Sequence, residues 1–406
     1  MSLKDNLWER STINLDFLFL TSILVGYVIS SALPNIFGLE SRDFSITYRF
    51  LMFIFSIIIL TKNGLFRRID LKTGLIFCVF WFFYFFKTVY SFHTDYYLPQ
   101  FISHEYEIYI RILIINLLAC LSLLSIDYIK VDYKLLIKSI FWILFVMLSL
   151  NLLYTLFYLN KYNNVSGIFS VYYISSGHFG ASLVILSLYL LFFRTKLDTV
   201  ITKQVLVLAV LLGLFAVYIS AARSPVLALI IVNLYFLILK KKIKFLVYFF
   251  LFLLLSVFFL YISRQILHLD SAFIERNYLW IFEGNTSGRE PYLIRAVSIF
   301  RDNIIIGGRV LYEDGLHPHN IFLELLMVGG LVLLLLFGLL FYPLLRNLGY
   351  FFKTSTANFY ILPLFAIWVQ YFILTLTSNN IHSNPEFWYF GSVIIGISIK
   401  NHNEKT

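Results

Sequence analysis

The sequence predicts an all-α integral membrane protein with about 12 transmembrane helices, and three observations carry that expectation. Sixty per cent of the 406 residues are hydrophobic and only 13% are charged, roughly half the charged share that a water-exposed surface requires. The mean hydropathy is +0.83. The apolar residues are also gathered into about a dozen separate runs, and about 20 residues rising 1.5 Å each cross a hydrocarbon layer of roughly 30 Å. Twelve crossings consume about 240 residues and leave ample chain for ends and loops.

The expected spans are 14–33, 44–61, 71–88, 108–126, 135–158 and 178–193, followed by 203–220, 224–239, 245–263, 320–344, 357–376 and 384–399. The first opens near Asp16 and ends near Leu33 without a small-x-small cleavage site, so it reads as an uncleaved span. The seventh and eighth form a hairpin through 221–223. Between the ninth and tenth lies the longest interval outside the membrane, 264–319. A structureless loop of that length is unusual, and two stretches in it look helical. IERNYLWIFEG is amphipathic, and Glu290 to Phe300 follows a break at Gly288. No repeat or soluble appendage interrupts the chain, so residues 1–406 read as one polytopic domain.

Charge sets the expected orientation. Alternate loops carry Lys62, Arg67 and Arg68, then Lys130 and Lys134, then Arg194 and Lys196, then the run Lys240 to Lys242 with Lys244, then Arg346 and Lys353, and finally Lys400 and Lys405. The interval 89–107 has no Lys or Arg but holds Asp95, Glu105 and Glu107. The positive-inside tendency then puts both termini in the cytoplasm. On that map His93, His104, His178, His268, His317, His319 and His382 fall on the outer side, and so does 264–319. The formal charge of +10 does not indicate nucleic acid, because its residues sit in short clusters between apolar runs. Cys78 and Cys120 both lie inside apolar runs, so neither a disulfide framework nor a cysteine metal cluster is indicated.

Three places have the residue types for chemistry. In Ser220-Ala221-Ala222-Arg223-Ser224-Pro225, an arginine is held at the membrane boundary between small neighbours, with Pro225 in the first turn of the next span. Its guanidinium offers a fork of donors to phosphate, or it snorkels to lipid headgroups. In Gly284-Asn285-Thr286-Ser287-Gly288-Arg289-Glu290, a flexible approach ends in an arginine that opens a helix. Arg295, Arg301 and Arg309 follow, and four arginines in an outer loop suggest an anionic partner, with pairing to Glu283, Glu290, Asp302 and Glu313 as the alternative. In Gly315-Leu316-His317-Pro318-His319-Asn320, Pro318 interrupts any helix, and His319 is displayed at the mouth of the tenth span with Asn320 as its cap. Histidine accepts a proton near neutral pH, as activation of a sugar hydroxyl requires. A loose zinc set of His317, His319 and Asp314 is the competing use. Glu324, one turn inside, is placed to orient His319 or pair with an arginine. Gly213, Gly329, Gly330 and Gly338 suit close helix packing. Tyr96, Tyr97, Tyr172 and Tyr173 are candidates for stacking on sugars.

Taken together, Ala222-Arg223-Ser224, Gly288-Arg289 and the stretch from His319-Asn320-Ile321-Phe322-Leu323-Glu324 to Gly329-Gly330-Leu331 resemble the O-antigen ligase and polymerase superfamily of bacterial envelope glycan assembly. That resemblance implies a GT-C-like, metal-independent and inverting glycosyltransferase with no cofactor, in the bacterial inner (plasma) membrane. The donor it implies is an undecaprenyl-diphosphate-linked glycan. Membrane lipids and a chain-length regulator are the other partners implied, and nucleic acid is not. Arg223 and Arg289 take the diphosphate-binding roles and His319 the activation of the acceptor. Arg295, Arg309, His317, Asn320 and Glu324 are further candidate substrate contacts. A polymerase, whose acceptor is the next lipid-linked repeat unit, is favoured over a ligase, because the outer loop of about 55 residues offers no evident docking surface for lipid A–core. A lipid-linked sugar transporter is the contrasting class, disfavoured because the basic residues of interest gather at one face and no inverted repeat is evident.

Overall fold

The computed structural model describes residues 15–38, 41–64, 69–95, 105–158, 167–171, 173–193, 201–241, 243–267, 271–285, 288–355 and 358–403. Arg67, Arg68, Tyr96, Tyr97, His104, Tyr172, Arg194, Lys196, Lys242, His268, Thr286, Ser287 and Lys405 lie outside them.

Apolar runs become helices here because the backbone of a lipid-embedded segment must satisfy its own hydrogen bonds. The first half of the chain forms α1 (Leu15–Phe37), α2 (Ser41–Lys62) and α3 (Leu71–Thr94). A continuous helix follows, made of α4 (Glu105–Ile110), a π-helical segment (Arg111–Leu118) and α5 (Ala119–Leu124). Next come α6 (Tyr133–Tyr158), α7 (Tyr173–Phe193), α8 (Lys203–Ser220), α9 (Arg223–Lys240) and α10 (Ile243–Gln265). The expected pair of helices before the late spans is present as α11 (Ala272–Phe282) and α12 (Glu290–Asp302). The chain ends with α13 (Ile321–Arg346), the single turn α14 (Leu348–Phe351), α15 (Leu362–Thr377) and α16 (Pro385–Asn403). Among the described residues, nine helices are long and apolar enough to cross a membrane, with Leu253–Gln265 and Leu362–Thr377 as shorter apolar helices. The protein is an all-α, multi-pass membrane protein.

Several boundaries differ from expectation, and two of them have a local reason. α7 begins at Tyr173, not near residue 178, because its polar opening is satisfied inside the bundle: Ser176 Oγ donates to Tyr173 O (2.8 Å), and His178 is fully buried. α15 begins later than expected because Asn358 holds the approach in a turn. Its Nδ2 donates to Tyr350 O (2.9 Å) and Lys353 O (2.6 Å), and its Oδ1 accepts from Ser355 N (2.8 Å).

Lipid tails are as apolar as leucine, so packing and polar contacts hold the helices together. α7 meets α8 at Gly180 and Gly213, where a Cβ on either would stand 2.6 Å from the other's carbonyl oxygen. An aromatic cluster joins α3, α13, α15 and α16, with Trp81 and Trp388 centroids 4.8 Å apart and Phe337, Phe341, Trp368 and Phe387 around them. A buried polar knot joins α7, α9 and α15. His178 Nε2 lies 3.1 Å from Ser224 Oγ, while Gln370 Nε2 donates to His178 O (2.8 Å) and Ser182 Oγ donates to Gln370 Oε1 (3.0 Å).

The glycines of α13 do more than allow close packing. Gly330 takes φ 58° and ψ −150°, breaking the helix in mid-course. The turn after α12 fits into that break: Leu331 N–H donates to Ile304 O (2.9 Å), Val332 N–H to Ile305 O (3.1 Å), and Gly308 N–H to Met327 O (2.8 Å). Lys87 Nζ donates to Gly307 O at 3.2 Å. Irregular backbone at this depth is tolerated only where its polar groups are paired in this way.

Candidate functional site

Arg223, Arg289 and His319 each stand at the N-terminal end of a helix, for different local reasons. α8 ends with Ala221 in the left-handed region (φ 49°), and α9 starts at Arg223 with no intervening loop to dilute its position. Arg289 is the N-cap of α12, preceded by Gly288 at φ 71° and followed by Glu290-Pro291, a proline position suited to a first helical turn. His319 is left-handed at φ 56°, uncommon for a residue with a side chain and typical of constrained sites. Pro318 precedes it, and Asn320 caps α13 after it, accepting from Phe322 N (3.1 Å) and Leu323 N (3.2 Å). The exposed N–H groups at helix starts add partial positive charge, which favours anions there.

His319, His317 and Arg289 line one cavity of about 990 Å³, at the upper end of the usual size for a small-molecule site. Its walls come from α1, α2, the π-helical segment, α7, the 314–319 loop and the segment joining α15 to α16. That joining segment organises the site. Ser378 O lies 3.0 Å from His319 Nδ1, and Arg289 Nη1 donates to Thr377 O. A carbonyl only accepts, so His319 carries its proton on Nδ1 and keeps the Nε2 lone pair bare. Burial pulls its pKa below the ordinary imidazole value, and the Arg289 charge adds to this, against the opposing effect of the Ser378 carbonyl. The neutral base is therefore the resting form near pH 7. The His317 ring lies 4.2 Å from that of His319, and its Nε2 is buried without a hydrogen-bond partner. Burial drives its pKa well down, with His319, His382 and Arg289 acting in the same direction.

Arg223 donates from Nη1 to Asn285 O at 2.7 Å and feels the charges of Arg289 and Arg276. Arg276 in turn sits over the Tyr173 ring at 5.0 Å. Among the described residues neither Arg223 nor Arg289 pairs with a carboxylate, so this cationic group lacks an internal counterion.

Residues 207–338 match the family model described as O-antigen ligase. The match covers about a third of the chain and is a similarity to that family. The matched O-antigen ligase segment runs from α8 into α13 and contains Arg223, Arg289, His317 and His319. Comparison with curated proteins gives no match.

Several residues expected at the site are engaged elsewhere. Arg295 pairs with Glu313 and lies over the Tyr312 ring at 4.9 Å, and Arg309 pairs with Glu313 and with Asp95 (3.3 Å). Glu313 thus draws both into the ion pairing that was the alternative use. Replacing Arg295 by alanine should shift stability by no more than about 1 kcal/mol and leave transfer near wild type, measurable by thermal shift and product yield. Asn320 is consumed as a cap, and its Nδ2 donates to Leu376 O (3.3 Å). Glu324 orients neither His319 nor an arginine. It is buried, accepting from Tyr84 Oη (3.1 Å) and from Ile381 N–H (2.9 Å), so it ties α3 and the 378–384 segment to α13. Tyr84→Phe leaves that carboxyl short of a partner and should cost about 1–3 kcal/mol in unfolding experiments. Among the described residues no group of three His, Cys, Asp or Glu side chains converges as a metal site, so His317, His319 and Asp314 do not form the zinc set their spacing allowed.

The cavity also holds basic residues that carry no local motif: Arg49 on α2, Arg111 at the start of the π-helical segment, and His382. His382 is held by Tyr84 Oη at 3.1 Å from its Nδ1, and burial, then Arg111, bring its pKa down to about 3. The sequence signal for the two arginines is a single charge inside an apolar run, which by default marks function in a membrane span.

Proposed function

We propose that the protein is a polysaccharide polymerase that extends a lipid-linked glycan at the extracytoplasmic membrane face. The carrying observation is His319, with Nδ1 fixed on the Ser378 carbonyl, Nε2 bare, and Arg289 on the same cavity. In this reading Arg223 and Arg289 hold the diphosphate of an undecaprenyl-linked donor. The acceptor hydroxyl oxygen bonds to the donor's anomeric carbon as the bond from that carbon to the diphosphate oxygen breaks. The diphosphate leaves with the electron pair, and the hydroxyl proton passes to His319 Nε2. Attack opposite the leaving group inverts the anomeric carbon. The two guanidiniums stabilise charge that grows on the leaving group, and the base raises the nucleophilicity of the hydroxyl. No metal is needed for either task. His317 Nε2 is free to bond a sugar hydroxyl.

The remaining features of the reading are twelve crossings in a GT-C-like arrangement, cytoplasmic termini, segment 264–319 on the opposite face, and a bacterial inner-membrane location where a chain-length regulator can join. A second reading is favoured by the family description itself: a ligase that passes finished glycan to lipid A–core. The test is reconstitution of the purified protein in lipid with its organism's undecaprenyl-diphosphate repeat unit, with products resolved by mass. A ladder spaced by one repeat supports the polymerase. Transfer only after lipid A–core is added replaces it with the ligase. Folded protein that forms neither product overturns both and turns attention to transport.

A further inference from the structure

Arg49 and Arg111 lie in membrane-spanning helices, on the same cavity as His319 and Arg289 but on different elements from the matched segment. Arg111 is six residues beyond the start of its helix at Glu105, and Arg49 eight beyond Ser41, depths of about 9 and 12 Å along the axes. The charge of Arg49 acts on Arg111. Like charges held together at such depth are costly unless an anion or water shares the site. The internal neighbours do not fill that role. Glu107 acts on Arg111 from a distance and Glu386 lines the cavity, yet neither comes within ion-pair reach of Arg49 or Arg111 among the described residues. Arg111 donates from Nη1 to Ser383 Oγ (3.2 Å), while its Nε is buried with no partner.

The backbone here is also unusual. Arg111 opens a π-helical segment of eight residues, a local rearrangement found mostly at functional sites. Asn116 Nδ2 bridges Arg111 O (2.9 Å) and His382 O (3.1 Å). The segment from Ser378 to Ser383 therefore contacts His319 at one end and Arg111 at the other.

We propose that Arg49 and Arg111 form a second diphosphate-binding site, which takes the diphosphate of the lipid-linked acceptor. This rests on the reading of Arg223 and Arg289 as the donor site. A polymerase brings together two molecules that each carry a polyprenyl diphosphate, whereas a ligase needs only one. Two guanidiniums match the two charges of the group. The embedded position suits a headgroup whose tail remains in the membrane.

The probe is farnesyl diphosphate, titrated onto full-length protein in lipid nanodiscs, with the bound copies counted by native mass spectrometry. Wild type should bind two, and Arg49→Gln/Arg111→Gln should bind one with an unchanged or raised melting temperature. Arg49→Lys/Arg111→Lys, which keeps the charge, should regain at least part of the second. Arg223→Gln/Arg289→Gln should also bind one. Wild type binding a single copy, lost only in Arg223→Gln/Arg289→Gln, overturns the second site and leaves the donor reading standing. Two copies retained in Arg49→Gln/Arg111→Gln overturns it equally. Loss confined to Arg49→Gln/Arg111→Gln supports the second site and removes the donor assignment. Farnesol binding to the same extent as farnesyl diphosphate would show the tail alone is recognised, and the diphosphate site falls.

Discussion

His319→Ala is expected to lower glycan transfer by about 10²–10⁴-fold while leaving lipid-diphosphate binding intact. The imidazole is placed by backbone on both sides: a left-handed φ of 56° set between Pro318 and the Asn320 cap, and a 3.0 Å contact from Nδ1 to Ser378 O. In the proposed mechanism its removal takes away the group that receives the acceptor proton and leaves both guanidinium pairs in place. A loss of binding equal to the loss of turnover would make His319 a substrate contact and not a base. The pH profile is a second readout. Burial and Arg289 hold the imidazole pKa below its ordinary value of about 6.5, and transfer needs the unprotonated form. Rate should therefore rise with pH through an apparent pKa below about 6.5 and be flat from there through neutrality. The acid limb should vanish in the residual activity of His319→Ala. A limb that survives the substitution belongs to another group.

The helices were legible because most apolar runs are long enough to cross a membrane, nine of them among the described residues, and most are closed by charges or turn residues. So were the places of Arg223, fixed by a hairpin too short to wander, and of His319 and Asn320, fixed by a proline and a cap. What was not legible depends on partners distant in sequence. Glu324 is one turn from His319, which suggests a local partnership, yet its bonds go to Tyr84 and Ile381, 240 and 57 positions away. Pairing of Arg295 and Arg309 with Glu313 was one of the two uses the sequence left open, but the second partner of Arg309, Asp95, is brought against it only by the fold. Arg49 and Arg111 carry no motif, and only the convergence of α2, the π-helical segment and the 378–384 segment puts them on the cavity.

Gly330 is the sharpest case of a residue whose role comes from elsewhere in the chain, and Gly330→Ala is expected to destabilise the protein by about 2–5 kcal/mol. Two effects add. The φ of 58° with ψ of −150° is a conformation nearly reserved for glycine. An added Cβ would also stand 2.4 Å from Ile304 O and 2.5 Å from Ile305 O. Both are backbone atoms, which cannot rotate away. If the helix straightened to relieve the strain, Leu331 and Val332 would turn their N–H groups from Ile304 and Ile305 to helical partners, and the turn after α12 would lose its seat. Arg289 caps the other end of α12, so its guanidinium should lose its register as stability falls. Gly338→Ala, further along the same helix with no atom within 4 Å of the new Cβ, is the matched control and should be neutral or slightly stabilising. The measurement is the midpoint of thermal unfolding in detergent for the two variants side by side. Equal midpoints would mean the α12 turn and the α13 break do not hold each other, and that the position of Arg289 is set by its bond to Thr377 alone.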